Sequence, residues 1–159
     1  MLKDWSVALA LGALVYLLVS WWQSRPPNVA GEAPQFTAQL STYGTFDLSA
    51  QRGKTVVLNF WASWCGPCKA EVPEFAEFAR AHPEVLMVGA AVKSGDEFEI
   101  YAATQRLGIT WPVFPADDAL LAAYRVDVFP TTYVIGPNGE IKDVHVGMMN
   151  QRQLEEAIQ

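Results

Sequence analysis

The chain has 159 residues, of which 51% are hydrophobic and 18% charged, with a formal net charge of −6. That length is enough for one domain with a real core. Setting aside Lys3, Asp4 and Arg25, nine basic residues stand against sixteen acidic ones with no basic cluster, which argues against a nucleic-acid partner.

Part of the apolar excess lies at the N-terminus. From Trp5 to Trp22 the sequence reads WSVALALGALVYLLVSWW, eighteen residues without a charge. This is the short end of what spans a bilayer as a helix, and Trp5, Trp21 and Trp22 sit where aromatic belts form. Two other readings stand beside a membrane anchor. A cleaved signal peptide would have an apolar core of roughly 7–15 residues and a small-x-small site, but this run ends in Ser20-Trp21-Trp22. A buried core helix would show a polar face, and this segment shows none. Lys3 and Arg25 flank opposite ends, so the positive-inside rule decides little about orientation. The expectation is a transmembrane anchor over 5–22. QSRPPNVAGEAPQ then reads as an extended spacer over 23–35, and the domain proper as 36–159.

Short alternating stretches broken at Gly44 predict a β-hairpin first. TVVLNFW, from Thr55 to Trp61, is a continuous apolar, β-branched run, as in a strand buried on both faces. Helical spacing of Val72, Phe75, Ala76 and Ala79 predicts a helix from Cys65 to about Ala81, kinked at Pro73. VLMVGAAV, from Val85 to Val92, is a second buried strand. Ser94 and Glu97 have capping-box spacing, so a helix is expected from there to Leu107, closed by Gly108. A short extended piece and a short helix to Tyr124 follow. TTYVIG and EIKDVHVG flank Pro137-Asn138-Gly139 and predict a closing hairpin. A last amphipathic helix covers Asn150–Gln159. Strands that alternate with helices and end in a hairpin imply an α/β fold with a mixed central sheet flanked by helices.

The only two cysteines, Cys65 and Cys68, lie in NFWASWCGPCKAEVPEF. Three chemistries use such a pair. A structural zinc needs four ligands, but no second CxxC exists and the only histidines are His82 and His145, widely separated in sequence. A static disulfide closing so small a loop removes little unfolded-state entropy. A redox-active dithiol fits the position. Cys65 falls at a strand-to-helix junction, where free backbone N–H groups and the helix dipole favour a thiolate. The thiolate is the species that attacks a disulfide. Cys65 is therefore expected to be the exposed attacking thiol and Cys68, one turn on, the buried resolving one.

FWASWCGPCK resembles the active site of the thioredoxin superfamily. The apolar N-terminus, VVLNFWASWCGPCKAEVPEF, the extra central helix, VDVFPTTYVIGPNGEI and the C-terminal helix narrow the likeness to the membrane-anchored TlpA/ResA/CcmG-like thioredoxins, over about residues 34–159. The resemblance implies a thioredoxin-like fold with an N-terminal β-hairpin. It implies that Gly66 and Pro67 form the active-site loop and that Pro130 is a cis-proline facing the CxxC. Trp64, Phe129 and Thr131 would join Pro130 in binding substrate. Trp61 reads better as core.

Two departures from the family stand out. Most thioredoxins have a buried aspartate where this chain has Asn59, and an amide cannot take a proton. The CxxCxxExP pattern of the anchored relatives is present, which makes Glu71 the expected replacement, against the plain alternative of a solvated carboxylate like Glu74 and Glu77. Phe129 is a large residue before the proline. Lys69 and His82 read as surface charges. His145, Met148 and Met149 could suggest a copper carrier, though packing explains the methionines as well.

The resemblance further implies a protein-disulfide reductase of the bacterial inner membrane, single-pass, with its catalytic domain on the extracytoplasmic side. The absence of any other cysteine suits an oxidising space. Gly-Pro between the cysteines resembles reducing thioredoxins, near about −270 mV, rather than oxidants near about −120 mV. The implied partners are client protein disulfides, apocytochrome c among the candidates, and a transmembrane electron donor. No metal and no cofactor beyond the Cys65–Cys68 disulfide are expected, and the protein would act as a monomer. The competing readings are a thiol oxidase or isomerase of the same fold, and a tethered copper- or haem-handling module.

Overall fold

The structure, a computed structural model, describes residues 11–20 and 31–159. Residues 11–20 are helical. The expected 5–22 span runs beyond the described residues at both ends. Among the described residues no helix is long and apolar enough to cross a membrane.

The domain is built around a five-stranded mixed sheet. Its strands are β3 (Val56–Trp61), β4 (Leu86–Val92), β5 (Val113–Ala116), β6 (Thr131–Ile135) and β7 (Ile141–Val146), preceded by the hairpin β1 (Thr37–Gln39) and β2 (Thr45–Asp47). The spatial order is β5-β4-β3-β6-β7, with β3, β4 and β5 parallel and β6 and β7 antiparallel. The helices are α1 (Gly66–Ala81), α2 (Glu97–Leu107), α3 (Asp118–Tyr124) and α4 (Gln151–Ala157). This is the expected mixed sheet with its hairpin and extra central helix.

β3 is central and all six of its residues are buried, which explains its unbroken apolar run. Alternation splits them between two cores. Val57 and Trp61 join Cys68, Val72, Phe75 and Phe78 of α1 on one face. Val56, Leu58 and Phe60 join Phe46, Phe114, Tyr124 and Tyr133 on the other. Fully burying Phe75 and Phe78 against the first face is worth about 1.5–3 kcal/mol each and seats α1 on the sheet. The same alternation puts Asn59 on the α1 face, the one polar position of β3.

Two expectations are corrected. The cap of α2 is Asp96, not Ser94: Asp96 Oδ1 accepts from Glu99 N–H and Glu99 Oε2 accepts from Asp96 N–H. Ser94 is unavailable because its hydroxyl is already bonded elsewhere, as described below. Pro73 lies inside α1, which runs without a break from Gly66 to Ala81. Residues 31–35 are not spacer. Ala33 is 1% exposed and donates to Gly139 O at 2.9 Å, Gly31 O accepts from Ile141 N–H at 2.9 Å, and Pro34 O accepts from Tyr124 Oη at 2.8 Å. The domain therefore begins earlier than Phe36, while 23–30 lie outside the described residues.

Candidate active site

The chain leaves the C-terminal end of β3 at Trp61 and turns directly into α1. Cys65 is the N-cap of that helix, with Gly66 and Pro67 as its first residues. Gly and Pro suit the place, since Pro lacks an N–H that the first turn would leave unpaired. Cys65 Sγ accepts from Cys68 N–H at 3.2 Å, so the helix terminus is aimed at this sulfur. The two cysteines form a disulfide with their Cα atoms 5.3 Å apart. Cys65 is 6% exposed and Cys68 1%. The order is the expected one, but Cys65 is far less exposed than anticipated while bonded to Cys68. Trp64 beside it is 59% exposed, whereas Trp61 is 2% exposed and belongs to the core.

The Phe129–Pro130 peptide bond is cis. Phe129 meets the Trp64 ring edge-on, with centroids 6.1 Å apart. Thr131 is buried and its hydroxyl donates to Val128 O at 2.8 Å, so its side chain braces the loop from inside. Gly147 N–H donates to Pro130 O at 2.8 Å and fixes the loop from the β7 side.

Glu71 is 1% exposed, on the inner face of α1 one turn after Cys68. It is not a solvated carboxylate. Its Oε1 accepts from Asn59 Nδ2 at 2.9 Å and its Oε2 from Met149 N–H at 3.3 Å. Asn59 Nδ2 also donates to Thr132 Oγ1 at 3.1 Å. Burial pushes the Glu71 carboxyl up from 4.5 to about 7, against the lowering effect of the Asn59 and Met149 hydrogen bonds. Glu74, by contrast, is exposed yet engaged: it accepts from Gln151 N–H at 3.0 Å, at the start of α4. Of the two carboxylates expected to be merely solvated, only Glu77, paired on the surface with Arg80, fits that description.

Other contacts here were not anticipated. Ser63 N–H donates to Ser94 Oγ at 2.9 Å, and Ser94 Oγ donates to Val92 O at 3.0 Å. Trp64 Nε1 donates to Lys93 O at 3.1 Å. Lys93 has φ +44°, a left-handed conformation that turns this carbonyl outward. The turn after β4 thus grips the two residues that precede Cys65. Met149 is buried and Met148 is 49% exposed, so packing accounts for only one of the pair. Among the described residues no three His, Cys, Asp or Glu side chains gather as metal ligands.

A dithiol at a helix start, with one cysteine capping the helix and the other one turn on, can exchange disulfides by thiolate attack and resolution. In class the protein is a thiol–disulfide oxidoreductase of thioredoxin-like fold. The chain belongs to the AhpC/TSA family, which matches residues 29–144. It is 32% identical to the thioredoxin-like protein YneN of Bacillus subtilis, over 99% of this chain and 98% of that one. It is 35% identical to the thiol-disulfide oxidoreductase ResA of Geobacillus kaustophilus, over 80% of this chain and 74% of the relative. Among solved structures, a secreted disulfide oxidoreductase of Mycobacterium tuberculosis superposes with a TM-score of 0.69 at 28% identity, covering 77% of this chain and 93% of that one.

Proposed function

We propose that the protein is a membrane-tethered reductant of extracytoplasmic protein disulfides, with Cys65 attacking, Cys68 resolving and Glu71 carrying the proton of Cys68. The observation that supports this best is Glu71 itself. It is buried one turn after Cys68 and pushed up to about 7, where a general base works best.

The Cys65 thiolate attacks one sulfur of the client disulfide. A Cys65–client bond forms, the client S–S bond breaks and one client thiolate leaves. Cys68 passes its proton to the Glu71 carboxylate and attacks Cys65 Sγ. The Cys65–Cys68 bond forms and the second client thiolate leaves. Two electrons have moved from the dithiol to the client, and the disulfide in the structure is the end of that half-cycle. A dithiol donor in the membrane would restore it. Trp64, Phe129 and Pro130 offer the client a surface beside the sulfurs.

The tether rests on the uncharged Trp5–Trp22 run, and the secreted Mycobacterium tuberculosis relative supports an extracytoplasmic site. The family resemblance makes apocytochrome c a candidate client. Equilibrating the full chain with a thiol buffer tests the direction. A potential near about −270 mV is expected, and one near about −120 mV would make it an oxidase. Copper or haem bound in stoichiometric amount after purification would favour the binding module. Mass spectrometry of protein taken from membranes should find the N-terminus intact, and a soluble form starting near Gly31 would defeat the tether.

A further inference from the structure

Asn59, Thr132 and His145 lie in one row across three strands. Asn59 pairs with Thr132 between β3 and β6, and Thr132 pairs with His145 between β6 and β7. Directly paired residues share a face of the sheet, so all three point toward α1. The row addresses both oxygens of Glu71. At one end the Asn59 amide donates to Oε1. At the other, His145 Nε2 lies 3.0 Å from Met148 O, and the next atom group along, Met149 N–H, donates to Glu71 Oε2 at 3.3 Å. A carbonyl oxygen only accepts, so His145 Nε2 is the donor.

The Met148–Met149 peptide is therefore held by both of its polar groups. A peptide unit is rigid and planar, with C=O and N–H pointing opposite ways when trans. Whatever fixes the direction of the oxygen fixes the direction of the N–H. We propose that His145 is a positioning residue for Glu71: by holding the Met148 carbonyl it keeps the Met149 N–H on the Glu71 carboxylate. This rests on the proton-carrier reading of Glu71 for its catalytic meaning, but not for its geometry.

The surroundings of Glu71 make the effect legible. The groups that bond it are neutral, the Asn59 amide from β3 and the Met149 N–H from the turn, with Thr132 of β6 behind Asn59. The next carboxylate on α1, Glu74, is turned to Gln151 N–H of α4. Lys69, two residues before Glu71 on α1, makes no ion pair among the described residues. The turn has anchors besides His145: Gly147 N–H on Pro130 O, and Asn150 capping α4. Losing the imidazole frees the orientation of one peptide without freeing the turn.

The test is a titration of the full chain labelled with 13C-glutamate, with the Glu71 carboxyl signal assigned by its loss in E71Q. Removing a donor from a carboxylate disfavours its charged form. His145→Ala should raise the Glu71 midpoint by roughly half a unit or more, and the pH profile of disulfide release should move with it. His145→Gln puts an amide N–H close to where Nε2 stands and should keep the parental midpoint. An alanine variant with an unmoved midpoint, or a glutamine variant shifted as far as the alanine one, overturns the proposal. Parental turnover in E71Q would instead defeat the proton-carrier reading and leave the titration standing, so the two failures are distinguishable.

Discussion

Replacing Glu71 by glutamine keeps the shape of the side chain and removes its proton. The consequence for stability has a definite sign. The unfolded carboxyl ionises near 4.5, the folded one near 7. Between those values the folded state holds a proton that the unfolded state has lost, so stability falls as pH rises through this window and levels off above it. The full offset corresponds to about 3 kcal/mol, and the part falling between pH 5 and pH 8 to about 2.5 kcal/mol. Glutamine also faces two donors, Asn59 Nδ2 and Met149 N–H, with a single acceptor oxygen. It should lose one hydrogen bond, about 1 kcal/mol, at every pH.

Urea unfolding of the oxidised full chain and of Glu71→Gln, at pH 5 and pH 8, separates the two effects. The constant loss cancels in the difference between the pH values, and the pH-dependent part remains. Relative to the parent, the variant should gain about 2.5 kcal/mol on going from pH 5 to pH 8. In turnover the same variant should release reduced client about 10²-fold more slowly, while alkylation of Cys65 changes much less. Glu77→Gln is the control, since Glu77 meets only Arg80 at the surface, whereas Glu74 holds the start of α4. Parallel stability curves for parent and Glu71→Gln would refute the raised carboxyl. Parent-like turnover from pH 6 to pH 8 would send the proton to water instead.

Cys68→Ser should trap a mixed disulfide between Cys65 and its client, seen as a reductant-sensitive adduct; in the reduced wild type, preferential alkylation of Cys68 would reverse the two roles. Ser94→Ala removes one acceptor and one donor from the turn that holds Ser63, so it should lower unfolding free energy by about 1–3 kcal/mol and loosen the Cys65 segment; Ser94→Thr, which retains the hydroxyl, should recover much of that. Asn59→Asp would set a second carboxyl within 2.9 Å of Glu71. Such a pair titrates as a dyad, with one apparent value driven well above the usual carboxylate range, and two parent-like carboxyl titrations would contradict the contact.

The elements were largely legible because local signals were strong. The run Val56–Trp61 is buried throughout, and Gly139, at φ +81°, supplies the left-handed residue that the closing hairpin needs. The cap of α2 shows the limit. Ser94 with Glu97 and Asp96 with Glu99 have the same spacing and both suit a helix start. The choice is made by Ser63, distant in sequence, whose N–H occupies the Ser94 hydroxyl. The site was legible as far as Cys65, Cys68, Glu71 and Pro130 fall in short motifs. Its second half depends on contacts across long separations: Thr132 lies 73 residues from Asn59, and Met149 lies 78 from Glu71. No local periodicity reports such pairs.

The same contacts change the meaning of Asn59. In sequence it reads as a lost acid, a position where a proton acceptor is missing. In the fold it is a donor. Its amide spans Glu71 Oε1 and Thr132 Oγ1, a task that an ionised carboxylate in its place could not perform, because it has no hydrogen to give. A buried glutamate without donors would be costlier to ionise, since burial alone raises its pKa and hydrogen bonds to the charged form offset that rise. Asn59 and Glu71 are therefore one hydrogen-bonded unit in the fold. The acid sits on the helix, one turn after Cys68, and the strand supplies the hydrogen bond that keeps it ionisable near neutral pH.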